Sequence, residues 1–199
     1  MKRYIFAALV VLSLMALFSG PQATYAAEWS FDMAHSGIYF DVPHIYSTVR
    51  GRFSDFSGTF SFDPNNPAGG KIEVVVQTQS VDTQITKRDN HLRSEEFFGV
   101  SQYPTMTFKS KKIVHESGNK YRLVGDLTVK DVTKEIEVPF IFHGVMDSPF
   151  QKGKQIAGFD ARFTIDRLAY HVGNGKFAKM GVVGKDVDVL ISIEMISEK

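Results

Sequence analysis

The chain has 199 residues, no cysteine, and 23 basic against 22 acidic side chains, a formal net charge of +1. That length fits one domain whose core stands without staples, and the missing cysteines exclude a disulfide scaffold. So even a balance gives no chain-wide electrostatic footprint for nucleic acid or an anionic membrane.

The first segment reads as a leader. Lys2 and Arg3 precede an apolar run over 5–18, broken only by Ser13, and Gly20-Pro21 ends it. Thr24-Tyr25-Ala26 then offers small residues at −3 and −1, so a secretory signal peptide over 1–26 is expected, cut after Ala26. The run is short of the ~20 apolar residues a membrane span takes. No cysteine follows it to carry a lipoprotein anchor, and no second long apolar run follows either. A periplasmic domain over 27–199 with no integral membrane segment is the expectation.

Behind the leader, apolar and polar residues alternate, which puts one set of side chains on one sheet face. Ile38, Phe40 and Val42 alternate with Tyr39 and Asp41. Phe56, Gly58, Phe60 and Phe62 form the next set, and a breaker-rich loop over 63–70 separates it from Ile72, Val74 and Val76. After an interruption, strands are expected over 106–113 and 121–129, joined by the turn Glu116-Ser117-Gly118-Asn119. Lys130-Asp131 makes a tight hairpin into Ile136, Val138, Phe140 and Phe142. Asp147-Ser148-Pro149 leads to a strand over 157–165, and Val187 to Met195 is the last run. About eight strands with short loops is the pattern of an antiparallel barrel or sandwich. The 17 phenylalanines, two of them in the leader, favour a barrel. A closed barrel of that size holds one elongated ligand between apolar walls. Equally, the same rings in a filled barrel are ordinary core.

The interruption is 86–98. Thr86 with Asp89 three residues on reads as a capping box, and Ser94-Glu95-Glu96 as a second helix start. One or two short helices crossing an end of the sheet are predicted. Arg88 and His91 then share a face, and Arg93 points elsewhere. They form either a polar mouth for a ligand headgroup or an ion-paired helix closing the barrel end. In the first case arginine supplies several donors to a phosphate or carbonyl. In the second, Asp89 bonds a nearby backbone group or arginine.

Catalytic and metal patterns are missing. The six histidines, at 35, 44, 91, 115, 143 and 171, show no ligand spacing. There is no Gly-x-Ser-x-Gly elbow, and the carboxylates fall on polar strand positions without an acid–base pair. No catalytic residue, cofactor or metal is expected.

A string of short motifs carries more. It runs Trp29-x-x-Asp32-x-x-His35-Ser36-x-Ile38-x-Phe40-x-Val42-x-His44, then Val49-x-Gly51-x-Phe53 and Phe56-x-Gly58. Next come Arg88-Asp89-x-His91-Leu92-Arg93-Ser94-x-x-Phe97-Phe98 and Tyr103-Pro104-Thr105. Last are Gly125-x-Leu127-Thr128-Val129-x-x-Val132-Thr133, Gly158-Phe159 and Val183-Gly184-x-x-Val187. In this order the motifs resemble the YceI-like family along 29–194. Three positions depart from its pattern: Asp131 where glycine is usual, Gly99 where aspartate is usual, and Tyr170-His171 where an aromatic-glycine pair is expected.

The resemblance implies an all-β fold with a short helical insertion, an antiparallel eight-stranded lipocalin-like β-barrel. It implies a long isoprenoid inside, an isoprenoid quinone or polyprenyl phosphate, and an association with stress tolerance. The expected wall is Ile38, Phe40, Val42, Phe60, Phe62, Met106, Phe108, Leu127, Phe140, Phe142, Phe159 and Ile191, with Arg88 and His91 toward the headgroup. Tryptophan at Gly58 or Gly125 is expected to block the interior without unfolding the barrel. A homodimer is possible on this reading. Two alternatives stand beside the carrier: a hydrolase acting on such a lipid through His91 or His35, and a filled-core interaction module without ligand.

Overall fold

The computed structural model describes residues 29–198; the expected signal peptide lies outside the described residues. Eleven strands form one antiparallel sheet: β1 (Ser30–Phe31), β2 (Gly37–His44), β3 (Ser47–Phe53), β4 (Phe56–Ser61), β5 (Lys71–Gln77), β6 (Val81–Asp82), β7 (Thr105–Ser117), β8 (Lys120–Val129), β9 (Val132–Asp147), β10 (Lys154–Asp166) and β11 (Asp186–Glu198). Among the described residues, two α-helices, α1 (Thr86–Arg93) and the one-turn α2 (Lys176–Lys179), and three short 3-10 turns complete the fold. The class is the expected one; the strand count is higher than eight. Two extra strands have two residues each. The third, β3, was hidden because its inner row is Val49, Gly51 and Phe53, with a glycine where the alternation needs bulk.

The strand order is β4-β5-β7-β8-β9-β10-β11-β2-β3-β6, with β1 paired to β11. The hydrogen-bonded path is therefore a curled sheet and not a continuous closed ladder. A lone bridge from Trp29 to Phe60 ties β4 toward the β1 end.

Register explains the interior. Ile38 stands opposite Phe53 on one side and Ile191 on the other. Ile191 faces Ala161, and Ala161 faces Phe140. Side chains directly opposite share one face, so this row runs across five strands on the inside. A bulge at Lys111, where Ser110 pairs Gly125 and Lys112 pairs Val124, shifts the phase of β7. Ile113 therefore turns inward and is only 2% exposed.

Gly58 and Gly125 are close-approach positions. A β-carbon on Gly58 would strike the carbonyl of Glu73, and one on Gly125 the carbonyl of Lys109 and the ring of Phe108. Both obstacles include backbone of the neighbouring strand, which cannot swing aside. Tryptophan at either position breaks strand pairing instead of plugging the interior, contrary to the expectation.

Turn chemistry differs in detail from the reading. In the two-residue hairpin between β8 and β9 it is Lys130, at φ 54°, that takes the left-handed conformation. Asp131, which stands where glycine is usual, does not.

Candidate functional site

The curled sheet holds a cavity of about 480 Å³, inside the ~300–1,000 Å³ range of small-molecule sites. Twelve of the fourteen expected residues line it: Ile38, Phe40, Val42, Phe60, Met106, Phe108, Leu127, Phe140, Phe159, Ile191, Arg88 and His91. Phe62 and Phe142 do not. Phe62 is buried, with ring centroids 5.1 Å from Tyr121, 5.2 Å from Phe142 and 5.6 Å from Phe159. These rings fill one end of the barrel as an edge-on aromatic plug. Hollow and filled were posed as alternatives. The plug closes one part, and the rest is open space floored by Phe140 and Phe159.

The other end is capped by α1 and by the loop 168–184. Helix α1 carries Arg88, His91 and Leu92 to the cavity wall. Its start is not the capping box. Ile85 stands at the cap position with no side-chain bond, and Thr86 is already helical. Asp89 instead turns inward, 6% exposed, and accepts from the backbone N–H of Thr83 at 2.8 Å and from the Thr83 hydroxyl. Arg88 donates to that hydroxyl oxygen at 2.7 Å and to the Thr83 carbonyl at 2.8 Å. Thr83 is thus a node that satisfies a buried carboxylate and fixes an arginine. Of the two readings of 86–98, the structural one accounts for Asp89. Arg88 Nη1 is left without a partner among the described residues.

Arg93 points away as expected, donating to the carbonyls of Gln79 and Val81. Ser94 starts no second helix; its hydroxyl closes α1 on the His91 carbonyl at 2.7 Å. The left-handed turn at Gly99, φ 60°, follows, at a position where the family pattern has aspartate. His91 Nε2 lies 2.7 Å from Glu96, and that hydrogen bond holds the Glu96 carboxyl below its ordinary value. Thr83→Val removes the node's hydroxyl and leaves Asp89 short of a donor in a dry site. An exposed charge-assisted bond costs little, but a buried one costs about 2 kcal/mol. The measurement is urea denaturation, with Ser80→Ala as a half-buried control.

The loop 168–184 is closed by a residue that no sequence pattern singled out for the site. Arg167 is 6% exposed and lines the cavity. It donates through Nε to Gly184 at 2.9 Å, through Nη1 to Val172 at 2.7 Å and through Nη2 to Val183 at 3.4 Å. Its guanidinium lies 5.8 Å from the centroid of Phe97. Burial pulls its pKa down, opposed only by neighbouring Asp166. Val172, Phe177, Val182 and Val183 from the clasped loop complete the wall. Phe97, Phe98 and Phe177 were missed because they sit in turns and a one-turn helix, where no alternation marks them.

The family departures at 131 and 171 meet here. His171 takes φ 56°, the left-handed conformation glycine would adopt freely. Its ring nitrogen lies 3.1 Å from Asp131, and Lys130 donates to its carbonyl at 2.8 Å. Lys130 and Asp131 of the β8–β9 hairpin are therefore coupled to His171 of the loop.

Outside the barrel the fold joins three residues that no spacing suggested. Donor atoms of Asp32, His35 and Glu194 lie within 4.8 Å of one another. His35 Nδ1 is 2.8 Å from Asp32 and 3.9 Å from Glu194. The hydrogen bond to Asp32 raises His35, and the same bond lowers Asp32. The depressed carboxyl contributes stability above its unfolded value of about 3.9, lost as pH falls through the folded value. The raised imidazole contributes fully below about 6.5, lost as pH rises through its folded value. The pair therefore acts between these limits. In a histidine NMR titration, Asp32→Asn should bring the His35 midpoint down toward 6.5; an unmoved midpoint contradicts the pairing.

With this geometry in view, the comparisons are decisive. The YceI-like domain profile matches residues 29–195. The chain belongs to the YceI-like family. A UPF0312 protein of Pectobacterium atrosepticum is 36% identical over 194 residues, covering 96% of this chain and 97% of that one. Among solved structures, the BcnA protein of Burkholderia cenocepacia superposes with a TM-score of 0.74 at 26% identity, covering 82% of this chain and 98% of that one. A polyisoprenoid binding domain from Saccharophagus degradans has a TM-score of 0.63 at 17% identity, covering 86% of this chain and 99% of that one; it shares the fold. Among the described residues, no helix is long and apolar enough to cross a membrane.

Proposed function

We propose that this YceI-like protein is an exported carrier that sequesters or transports a long-chain isoprenoid, a quinone or a polyprenyl phosphate, inside its barrel. The observation that carries the reading is the 480 Å³ cavity, walled almost entirely by aliphatic and aromatic side chains. Burial of hydrocarbon in such a space yields affinity at ~25 cal/mol per Å² with few hydrogen bonds. The polar groups sit at the capped end, where Arg88 Nη1 offers a donor to a phosphate or carbonyl head and His91, its Nε2 committed to Glu96, lines the wall beside it. The expected leader directs the chain to the periplasm.

The lining also bears on the hydrolase alternative. Among the described residues it includes no serine, and Thr107 is its one aliphatic hydroxyl. His35 stands outside the barrel with Asp32.

A chain-length series tests the proposal. Prenyl phosphates of increasing length are titrated into delipidated protein and followed calorimetrically. Each added isoprene unit should tighten binding at least about tenfold until the cavity is full. Equal affinity for a two-unit and an eight-unit ligand would overturn the carrier reading.

A further inference from the structure

We propose that the capped end of the barrel is a membrane-docking rim, which places the elements that close the cavity against an anionic lipid surface for loading and release. The inference rests on the carrier reading for its purpose but on separate residues for its evidence. Three elements build this end, and each points apolar side chains both inward and outward. The β2–β3 hairpin sends His44 and Val49 to the cavity while Tyr46 is fully exposed and Ile45 more than half exposed. The segment entering α1 exposes half of Ile85, while Arg88, His91 and Leu92 face in. The clasped loop sends Phe177, Val182 and Val183 inward and exposes most of Met180. The hairpin and loop are joined directly: Ile45 N–H donates to Val182 at 3.1 Å, and His44 bridges Val183.

Ile45 adds an independent sign. It holds φ 51°, a conformation that β-branched residues rarely adopt. Glycine would sit there without strain. A strained isoleucine kept at an exposed tip is explained if its side chain has a use outside the fold.

Charge agrees. Lys87 follows Ile85 by two residues, and Lys179 precedes Met180; both are exposed and make no ion pair among the described residues. Lys176 opens the same short helix, its charge partly offset by Glu96. The chain's net charge is near zero, but these lysines are gathered beside the apolar tips. Apolar side chains flanked by lysine are the combination that seats a protein in the headgroup layer. The same three elements line the cavity, so docking the rim sets the capped end of the interior against the bilayer.

The test uses the full mature chain and sedimentation with vesicles of phosphatidylglycerol or of phosphatidylcholine. Binding to the anionic vesicles should exceed binding to the neutral ones and weaken with salt. The triple variant Ile45→Gly, Tyr46→Ser, Met180→Ser should bind at least about tenfold more weakly while taking up prenyl phosphate from detergent normally. Ile45→Gly relieves strain, so loss of fold is not the expected cause. No sedimentation with either vesicle, or equal sedimentation of the triple variant, overturns the rim. Vesicle binding by a protein that takes up no prenyl ligand keeps the rim and overturns the carrier reading instead.

Discussion

Ala161→Trp should abolish uptake of a long-chain prenyl ligand and leave the barrel folded. Ala161 is 8% exposed, sits midway along β10 and faces the cavity between Phe140 and Ile191. Unlike Gly58 and Gly125, it already carries a β-carbon, so the larger side chain grows into space and not into a neighbouring strand. Overpacking a well-filled core costs about 1–3 kcal/mol, but the cavity offers room and the penalty should fall at the low end. Affinity for an eight-unit prenyl phosphate should drop at least about 100-fold, because the indole takes the area the chain would bury. Ile141→Trp, on the neighbouring strand but outward and partly exposed, should bind normally. A folded Ala161→Trp protein with a demonstrably filled cavity and normal binding contradicts the interior site.

Arg167→Met should cost about 3 kcal/mol and free the loop 168–184. The guanidinium satisfies carbonyls at both ends of that loop, Val172 at one and Val183 and Gly184 at the other. Methionine matches the stem but leaves those acceptors in a dry environment, at about 1–3 kcal/mol for an orphaned group. For a domain of this size that is a fall of about 6–12 °C in Tm. Hydrogen exchange should accelerate at Val172, whose N–H donates to Arg167 O at 3.0 Å, and not at Ile191 in the sheet. Arg167→Lys should rescue only part of the loss, since an ammonium cannot fork to three carbonyls. Unchanged exchange over 168–184 contradicts the clasp.

The inner wall was legible because strands write their faces in period two. Ile38, Phe40, Phe108, Leu127 and Ile191 follow from alternation alone, and the register confirms their common side. Phe62 and Phe142 carry the same signature yet belong to the plug; alternation gives the face but not the height along the barrel. The phase shift at Lys111 was invisible, because a bulge leaves no mark in composition. The capping box failed because Asp89 found a better partner in Thr83, six residues back. Arg167 was silent for a similar reason: a buried cation held by main-chain carbonyls has no complementary residue to announce it.

The carrier account is tested most directly by native mass spectrometry of the protein purified from its native cells, followed by solvent extraction. The account predicts one lipid per chain, released as an isoprenoid, and absent from Ala161→Trp. A bare protein mass that takes up neither added quinone nor polyprenyl phosphate would contradict it.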